Sequence, residues 1–577
     1  MKFRWSLAPA QPLLAGQLAA TLKLSPLLAQ CLLNRGLSEP ESIAAFLEPR
    51  LKQLADPFLL PNMSVAVDRL FRAREQCESL VVFGDYDVDG VTSTALLVET
   101  LRALGWQVNF YLPHRMDEGY GLSQDGVENC LRKFPTTLLL AVDCGSTAVA
   151  SIDWLRQKGV DVLVLDHHQT SNPAPAAIAL VNPQLETSPD LRNSAPLFRE
   201  LCSAGLAFKL AHALVKRGRD TGLEAAKTFD LRPLLDLVAL GTIADLVPLT
   251  GENRILVSMG LERLHTTRRP GLVALKQVAQ VTGLPGVYEV GFQLAPRLNA
   301  AGRIENAEEA LHLLMALDLA TAEPIAANLD LRNRERQKIE RSIAAEAIGA
   351  VKARFDPQTD FVIVEGQLLW HVGVVGIVAS RVLQQFYRPT IIVGGEGAAW
   401  RGSGRSIAGF DLAAALRECD DLLVRHGGHA MAAGLTIQSE NLEAFRLRLN
   451  ELARRALKPE HLQPVLRLDA EVSMREITLA GLEELDRLKP MGQGNPSFQF
   501  VVRKVTQARP LQRMGAEKQH VKLWITDGST THEAVWWGAG KEATLPVAQF
   551  DLAFVPQINE YNNRRTIQLK VLDWQAA

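Results

Sequence analysis

The chain has 577 residues, of which 47% are apolar and 22% charged, and its formal net charge is −2. That length exceeds what one hydrophobic core can organise and implies roughly three or four domains. The composition excludes a disordered chain, and the near-neutral charge excludes binding to nucleic acid by bulk basicity, so a DNA partner has to meet a local basic surface. Six scattered cysteines (Cys31, Cys77, Cys130, Cys144, Cys202, Cys419) form no CxxC pair. This excludes a zinc ribbon or a disulfide framework and leaves Asp and His to hold any metal.

Residues 1–60 read as an N-terminal helical segment. Its apolar stretches are interrupted by Lys23, Gln30 and Asn34 before they reach the ~18 residues of a membrane span, so no membrane association and a cytoplasmic location are expected. Between Ser79 and Pro183, β-rich runs at Leu80 to Phe83, Val108 to Leu112, Leu138 to Val142, Val160 to Leu165 and Ile178 to Val181 alternate with helical segments. That alternation predicts an α/β fold with a parallel sheet, here assigned to a catalytic domain over residues 61–320. Three of the strands run into acidic clusters: VVFGDYDVDG (81–90), AVDCGS (141–146) and VLDHH (164–168). The carboxyl edge of an open parallel sheet is where ligands bind, so clusters far apart in sequence converge there. A fourth acidic position, Asp245, stands in LVALGTIADLVPL (237–249), where an apolar helix-like stretch is expected to end at Gly241 and an unpaired charge in the uncharged run after it is costly.

From Pro324 to Phe355 apolar residues recur at spacings of four, which predicts a long connecting helix, assigned to 321–356 with Pro324 in its first turn. About 30 residues at ~1.5 Å each span roughly 45 Å, enough to link two lobes across a substrate cleft. Its basic segment LRNRERQKIER reads first as a solvated face, with DNA contact as the alternative. A second α/β unit over 357–460 contains strands FVIVE (361–365) and TIIVG (390–394), a helix over 371–386, and the glycine-rich RGSGRSIAGF (401–410) and RHGGHAMAAG (425–434). Over 461–577 short alternating strands predict a β-barrel of OB type.

Asp85, Asp87 and Asp89 alternate in DYDVDG, and carboxylates so close repel one another unless cations neutralise them. A calcium loop of the EF-hand kind is excluded because Leu96 stands where its twelfth-position Glu belongs. Asp143 by itself would serve as a helix N-cap. Asp166, His167 and His168 supply a carboxylate, a ligand imidazole and a second ring for orientation or substrate contact. Carboxylate and imidazole ligands without thiolate suit Mn²⁺ or Mg²⁺ better than zinc, although ligand type alone leaves the metal open. The set is too large for one ion. Two ions bridged by a carboxylate suit hydrolysis of a phosphate ester.

DYDVDG, VDCGS, DHH and GTIADLVPL, in this order, resemble the four motifs of the DHH phosphoesterase superfamily, and GGHAMAAG resembles its DHHA1 partner domain. The extended motifs, APRLNAAGR (295–303), GQGNP (492–496) and the C-terminal barrel resemble the RecJ exonuclease branch over nearly the whole chain. The resemblance implies that Asp87, Asp89, Asp143, His167 and Asp245 hold two divalent ions, with Asp143 as the bridge and Asp85 as support or alternate ligand. Phe83 stands where many members of the superfamily carry a His. The catalytic set it implies is His168, facing the scissile phosphate, with Asp166 and Asp143.

It also implies 5′-to-3′ removal of mononucleotides from single-stranded DNA in recombination and repair, including mismatch repair. A DNA 5′ end would be bound by Arg115, Arg297, Arg303, Ser403, Arg405 and His429. A single-strand-binding protein and a helicase are the implied partners. For Trp524, Trp536 and Tyr561, stacking on DNA bases and packing in the barrel core both remain open. Two other functions fit the same motifs: a phosphodiesterase acting on short oligonucleotides or cyclic dinucleotides, and a non-catalytic DNA-binding replication factor.

Overall fold

A computed structural model of the chain describes all residues except 1–2, 115–116, 120, 186–197, 305–306, 541–547 and 563, and omits the side chains of 303 and 304. The chain divides into two compact units: Ala44–Arg334 with Leu488–Pro496, and Met1–Ile43 with Glu335–Arg487 and Ser497–Ala577. Residues 1–43 therefore belong to the unit that holds the second α/β sheet and the barrel.

In the first unit the expected strands form one parallel sheet. They are β1 (Leu80–Gly84), β2 (Val108–Tyr111), β3 (Leu138–Val142), β4 (Asp161–Leu165) and β5 (Ala179–Val181), in the order β2-β1-β3-β4-β5. Residues alternate between two buried faces, which is why β1 and β3 read as unbroken apolar runs. Val82, Leu140 and Leu163 pack beneath helices α1 (Val88–Ala103), α4 (Ser203–Asp220) and α5 (Leu235–Ala244). Val81, Phe83, Leu139 and Val164 pack against α2 (Gln124–Lys133) and α3 (Val149–Gln157). Chain direction across the sheet reverses between β1 and β3, which opens a crevice at their carboxyl ends. Helix α5 continues through Gly241, beyond the end expected for it, to an Asp245 C-cap.

Further along, a short π-helix at Val290–Leu294 runs into α6 (Ala295–Ile304). The long helix α7 spans Leu319–Arg354. It starts earlier than Pro324 because Asp318 caps it, its Oδ1 accepting from the Thr321 amide at 2.8 Å. Pro324 thus lies inside the helix and removes one backbone hydrogen bond.

The second unit holds strands β6 (Ile363–Leu368), β7 (Thr390–Gly395), β8 (Ala399–Arg405), β9 (Leu423–Gly428) and β10 (Ala432–Gln438), in the order β9-β10-β8-β7-β6. Of the glycine-rich segments, Arg401–Arg405 lies in β8, and Arg425–Gly428 and Ala432–Gly434 lie in the antiparallel pair β9 and β10. Helix α8 (Val375–Phe386) packs on this sheet through Val378 and Val382. The barrel consists of β11 (Phe500–Met514), β12 (His520–Thr526), β13 (Thr531–Trp536), β14 (Phe550–Tyr561) and β15 (Arg564–Ala576). Pairing runs β11-β12-β13-β15-β14, and β14 returns to β11 to close the ring.

The segment Leu488–Pro496, which carries GQGNP, is held in the first unit by the fully buried Arg254. Its guanidinium donates to the carbonyls of Leu488 (2.9 Å), Lys489 (2.8 Å) and Phe46 (2.7 Å) and lies 3.7 Å from the Phe46 ring centroid. The Leu249 amide donates to the Gln493 carbonyl at 2.7 Å, which braces the turn following Asp245. Arg254→Met preserves bulk but strips buried carbonyls of their donor. It is expected to destabilise the first unit by about 3 kcal/mol, read as a lower midpoint in denaturant unfolding.

Candidate metal centre

Each acidic cluster is placed by the end of a secondary-structure element. After β1 the chain turns through Asp85 and Tyr86, and Asp87 caps α1, its Oδ1 accepting from the Gly90 amide at 3.1 Å. Asp89 lies buried in the first turn of that helix. Asp143, directly after β3, has a left-handed backbone with φ 62°, a conformation that costs on the order of 1 kcal/mol outside glycine. Asp166, His167 and His168 follow β4, and Asp245 caps the carboxyl end of α5.

These side chains meet around His167. Its Nε2 lies 3.5 Å from Asp143 Oδ1, 3.5 Å from Asp245 Oδ2 and 4.0 Å from Asp89 Oδ2. Three ligand groups, Asp89–His167–Asp245, Asp85–Asp87–Asp143 and Asp143–His167–His168, each have donor atoms within 4.8 Å of one another. Atoms bound ~2.1 Å from one ion stand roughly 3 Å apart at right angles and roughly 4.2 Å apart when opposite. His167 Nε2 and Asp245 Oδ2 are buried and have no hydrogen-bond partner. These two groups, without hydrogen-bond partners and facing each other at a cation's span, fit a divalent ion.

The electrostatics agree. Burial, with repulsion from neighbouring carboxylates, pushes Asp85 up to about 7, Asp89 up to about 6 and Asp245 up to about 9, and drives Asp143 well above the carboxylate range. Burial and the neighbouring His168 charge lower His167 to about 4, which leaves a neutral imidazole suited to ligation. For His168, burial opposes the charge, but the hydrogen bond from Nδ1 to Asp166 Oδ1 at 2.7 Å holds it up at about 9.

A surrounding layer fixes the ligands. The Ser203 and Ala204 amides, at the start of α4, donate to Asp89 Oδ2 (2.7 Å) and Oδ1 (2.8 Å). Ser203 Oγ donates to Asp143 Oδ1 at 2.8 Å. The Gly121 amide donates to Asp85 Oδ1 at 3.2 Å. Gly241 must be glycine, because a β-carbon there would fall 2.8 Å from Asp89 Oδ1 and 2.6 Å from the Ala204 β-carbon. Asn182 donates to Ser146 Oγ (2.7 Å) and to the His168 carbonyl (2.8 Å), and the Ser146 amide donates to Asp166 Oδ2 at 3.0 Å.

The structure thus brings together the six expected metal residues, Asp85, Asp87, Asp89, Asp143, His167 and Asp245, with His168 beside them. Asp166, expected in the catalytic set, has its oxygens turned to the His168 ring and to the amides of Ser146 and His168, which orients that ring. Phe83 faces the other side of the sheet, stacked on Tyr111 at 5.4 Å, and offers the site nothing.

Arg297, an expected phosphate binder, donates to Asp330 Oδ1 through Nε and Nη2, both at 2.9 Å, and through Nη1 to the Gln293 carbonyl of the π-helix at 2.5 Å. Arg115 and the Arg303 side chain lie outside the described residues. Ser403 and Arg405 are adjacent on one face of β8, joined at 2.9 Å. His429 is exposed at the turn between β9 and β10. In the barrel Trp524 is half-buried, Trp536 likewise, and Tyr561 is exposed at the end of β14.

Sequence reasoning missed Ser203, Ser146 and Asn182. A Ser at the head of the apolar stretch SAGLAFKL marks a helix start, but nothing in the sequence says that the start points at Asp89 and Asp143.

Family models for the DHH family N-terminal domain, the DHHA1 domain and the RecJ OB domain match residues 79–242, 359–455 and 468–573. The single-stranded-DNA-specific exonuclease RecJ of Bacillus subtilis is 39% identical over 99% of this chain and 71% of its own length. The RecJ of Dickeya dadantii is 35% identical over 91% of this chain and 92% of its own. The crystal structure of Thermus thermophilus RecJ with Mn²⁺ superposes with a TM-score of 0.84 at 31% identity, over 99% of this chain and 79% of that one.

Two outcomes follow from the geometry. Ser203→Ala removes a hydroxyl that orients Asp143 and is expected to weaken Mn²⁺ binding about 10-fold, measured by calorimetric titration. The second concerns pH. Carboxylates with raised folded pKa values hold protons that the unfolded chain has already released, so stability falls as pH rises through them. The stabilisation from His168 is complete below its unfolded value of roughly 6.5 and is lost as pH rises through about 9, which has the same sign. The melting temperature in EDTA should therefore fall from about pH 6.5 to about pH 9. The rise on adding Mg²⁺ should grow over that range, because ligation needs deprotonated carboxylates; scanning calorimetry reads both.

Proposed function

Because the chain belongs to the RecJ family of single-stranded-DNA-specific exonucleases, we infer that it hydrolyses single-stranded DNA from the 5′ end and releases 5′-mononucleotides in DNA recombination and repair. The observation that carries the reading is the set of buried carboxylates gathered around a neutral His167 at the crevice of the parallel sheet. The enzyme is a metal-dependent hydrolase. Asp89, His167 and Asp245 would hold one divalent ion and Asp85, Asp87 and Asp143 the other, with Asp143 Oδ1 near enough to His167 to serve both. Bound Mn²⁺ or Mg²⁺ supplies the charge that activates water and stabilises the leaving oxygen.

The chain's own groups do the rest. His168, positively charged at neutral pH and oriented through Nδ1 by Asp166, is free to donate a proton from Nε2 to a phosphate oxygen. In the second unit the Arg405 guanidinium is depressed by burial and meets Ser403 Oγ (2.9 Å) and the Gly404 carbonyl (2.8 Å); among the described residues it meets no carboxylate. It lies against the amino end of α8, where a β-carbon at Gly376 would come within 3.0 Å of Ser403 Oγ and 3.1 Å of Arg405 Nη2. An unneutralised guanidinium, a hydroxyl and a helix amino end suit the terminal 5′-phosphate. Arg115, Arg297, Arg303 and His429 are assigned to the same substrate on the resemblance.

On the barrel, the Arg509 and Lys522 charges each lie 5.6 Å from the Trp524 ring centroid, a basic and aromatic strip suited to a single strand, with Trp536 and Tyr561 as further stacking rings. The reading supposes a cytoplasmic protein that works with a single-strand-binding protein and a helicase. No helix among the described residues is long and apolar enough to cross a membrane.

The test is nucleotide release from single- and double-stranded DNA with a 5′-phosphate or a blocked 5′ end, in Mn²⁺, Mg²⁺ or EDTA. Release confined to single strands, dependent on metal and blocked by a 5′ cap is expected. Asp143→Ala should lower the rate by roughly 10³-fold or more, and Arg405→Ala should raise KM for 5′-phosphorylated ends about 10-fold. Release from a 3′ end would overturn the polarity. Cleavage of dinucleotides alone would make the chain a small-substrate phosphodiesterase, and binding without cleavage an assembly factor.

A further inference from the structure

The GQGNP segment (492–496) has no part in the reaction as described, yet it lies against the turn that follows one of the metal-binding carboxylates. Those carboxylates are aimed in two different ways. Asp85 accepts from the Gly121 amide, Asp89 from the Ser203 and Ala204 amides, and Asp143 from Ser203 Oγ, so hydrogen bonds hold each of these side chains directly. Asp245 Oδ2 is buried and accepts none. Its direction is therefore set by the backbone on either side: α5 before it, and residues 246–250 after it, which open with a left-handed Leu246 at φ 61°.

That turn is clasped from two directions. The Gln493 carbonyl accepts from the Leu249 amide at 2.7 Å. Gly494 has φ 71°, and a β-carbon on it would fall 2.8 Å from Pro248 Cβ; one on Gly492 would fall 2.8 Å from Leu249 Cδ1. Close approach to the same two residues thus requires both glycines of the segment. Asn495, fully buried, fixes the shape of the loop, because its Nδ2 donates to the Leu488 and Pro490 carbonyls, both at 2.8 Å, while its backbone pairs with that of Gly492. From the helix Gly251–His265, the buried Asn253 donates through Nδ2 to the Pro248 carbonyl at 3.0 Å and to the carbonyl of Glu200, three residues before the Ser203 that holds Asp89 and Asp143. A ligand atom has to stand within about 0.2 Å of its ideal distance from the ion, so slack in a carboxylate that no hydrogen bond aims lowers affinity.

We propose that the GQGNP segment is a positioning element of the metal centre: by clasping Pro248 and Leu249 it aims Asp245 at the ion that Asp89 and His167 share, and it acts on that ion selectively. The proposal rests on the two-ion assignment above. Asp85, Asp87 and Asp143, the ligands of the other ion, lie at the ends of β1 and β3 and do not depend on the clasp. Asn253, Arg254 and Asn495 are positioning residues that act through the turn.

The test is Mn²⁺ titration of the whole chain, followed by the electron paramagnetic resonance signal of free Mn²⁺, for wild type, Gly494→Ala and Asn495→Ala. Wild type should take up two ions. Gly494→Ala, which pushes Pro248, and Asn495→Ala, which opens the loop, should each weaken one ion about 10-fold and leave the other unchanged, with nucleotide release restored by raising Mn²⁺. Leu264→Ala, a core truncation at the other end of the helix from Asn253, should lower the melting temperature and leave both binding constants unchanged. Melting in EDTA reads which variants fold, and either of the two clasp variants is sufficient. Unchanged constants in a folded clasp variant, equal weakening of both ions, or the same selective loss in Leu264→Ala would overturn the positioning role while leaving the two ions in place. A wild-type chain that takes up fewer than two ions would overturn the two-ion assignment itself.

Discussion

Five carboxylates gather in two linked groups, three of them around a single imidazole nitrogen, with Asp89 and Asp143 buried, and repulsion among them has to be answered by something positive. No lysine or arginine answers it in the described structure. The response without metal is to hold protons, as the raised positions of Asp85, Asp89, Asp143 and Asp245 record. The response with metal is a pair of divalent ions. The stability the ions return is the counterpart of the repulsion the fold stores, so the site is both the least comfortable part of the apo protein and the part that makes it an enzyme.

The architecture serves that arrangement. A doubly wound parallel sheet delivers three acidic strand ends to one crevice, and the helix α5 brings the fourth carboxylate from the side. The amino end of α4 offers two amides to Asp89 and so stabilises negative charge without bringing in a competing cation. The adjacent histidines divide the work by environment. His167 is kept neutral and inward, whereas His168 is kept charged and outward because Asp166 holds its other nitrogen.

Much of this could be read from the residues. Strand ends that run straight into DYD, VDC and DHH give the sheet and the convergence together, because apolar runs and acidic termini are local signals. The orientation of Asp166 could not be read, since a carboxylate beside two histidines looks the same whether it faces a metal or a ring. Arg297 was equally opaque: its partner Asp330 is 33 residues away on another helix. The glycines of RGSGRS and RHGGHAMAAG suggest loops by composition, yet pairing with neighbouring strands overrides local propensity.

The return of Leu488–Pro496 to the first unit has a consequence in the order of synthesis. A growing chain that has reached Arg334 already holds every residue of the carboxylate cluster, yet Arg254 still lacks most of its carbonyl partners and Leu249 its backbone acceptor. The turn behind Asp245 is braced only after the whole second sheet has been made. A chain that ends before residue 488 therefore lacks the brace behind Asp245, although it holds every carboxylate of the cluster.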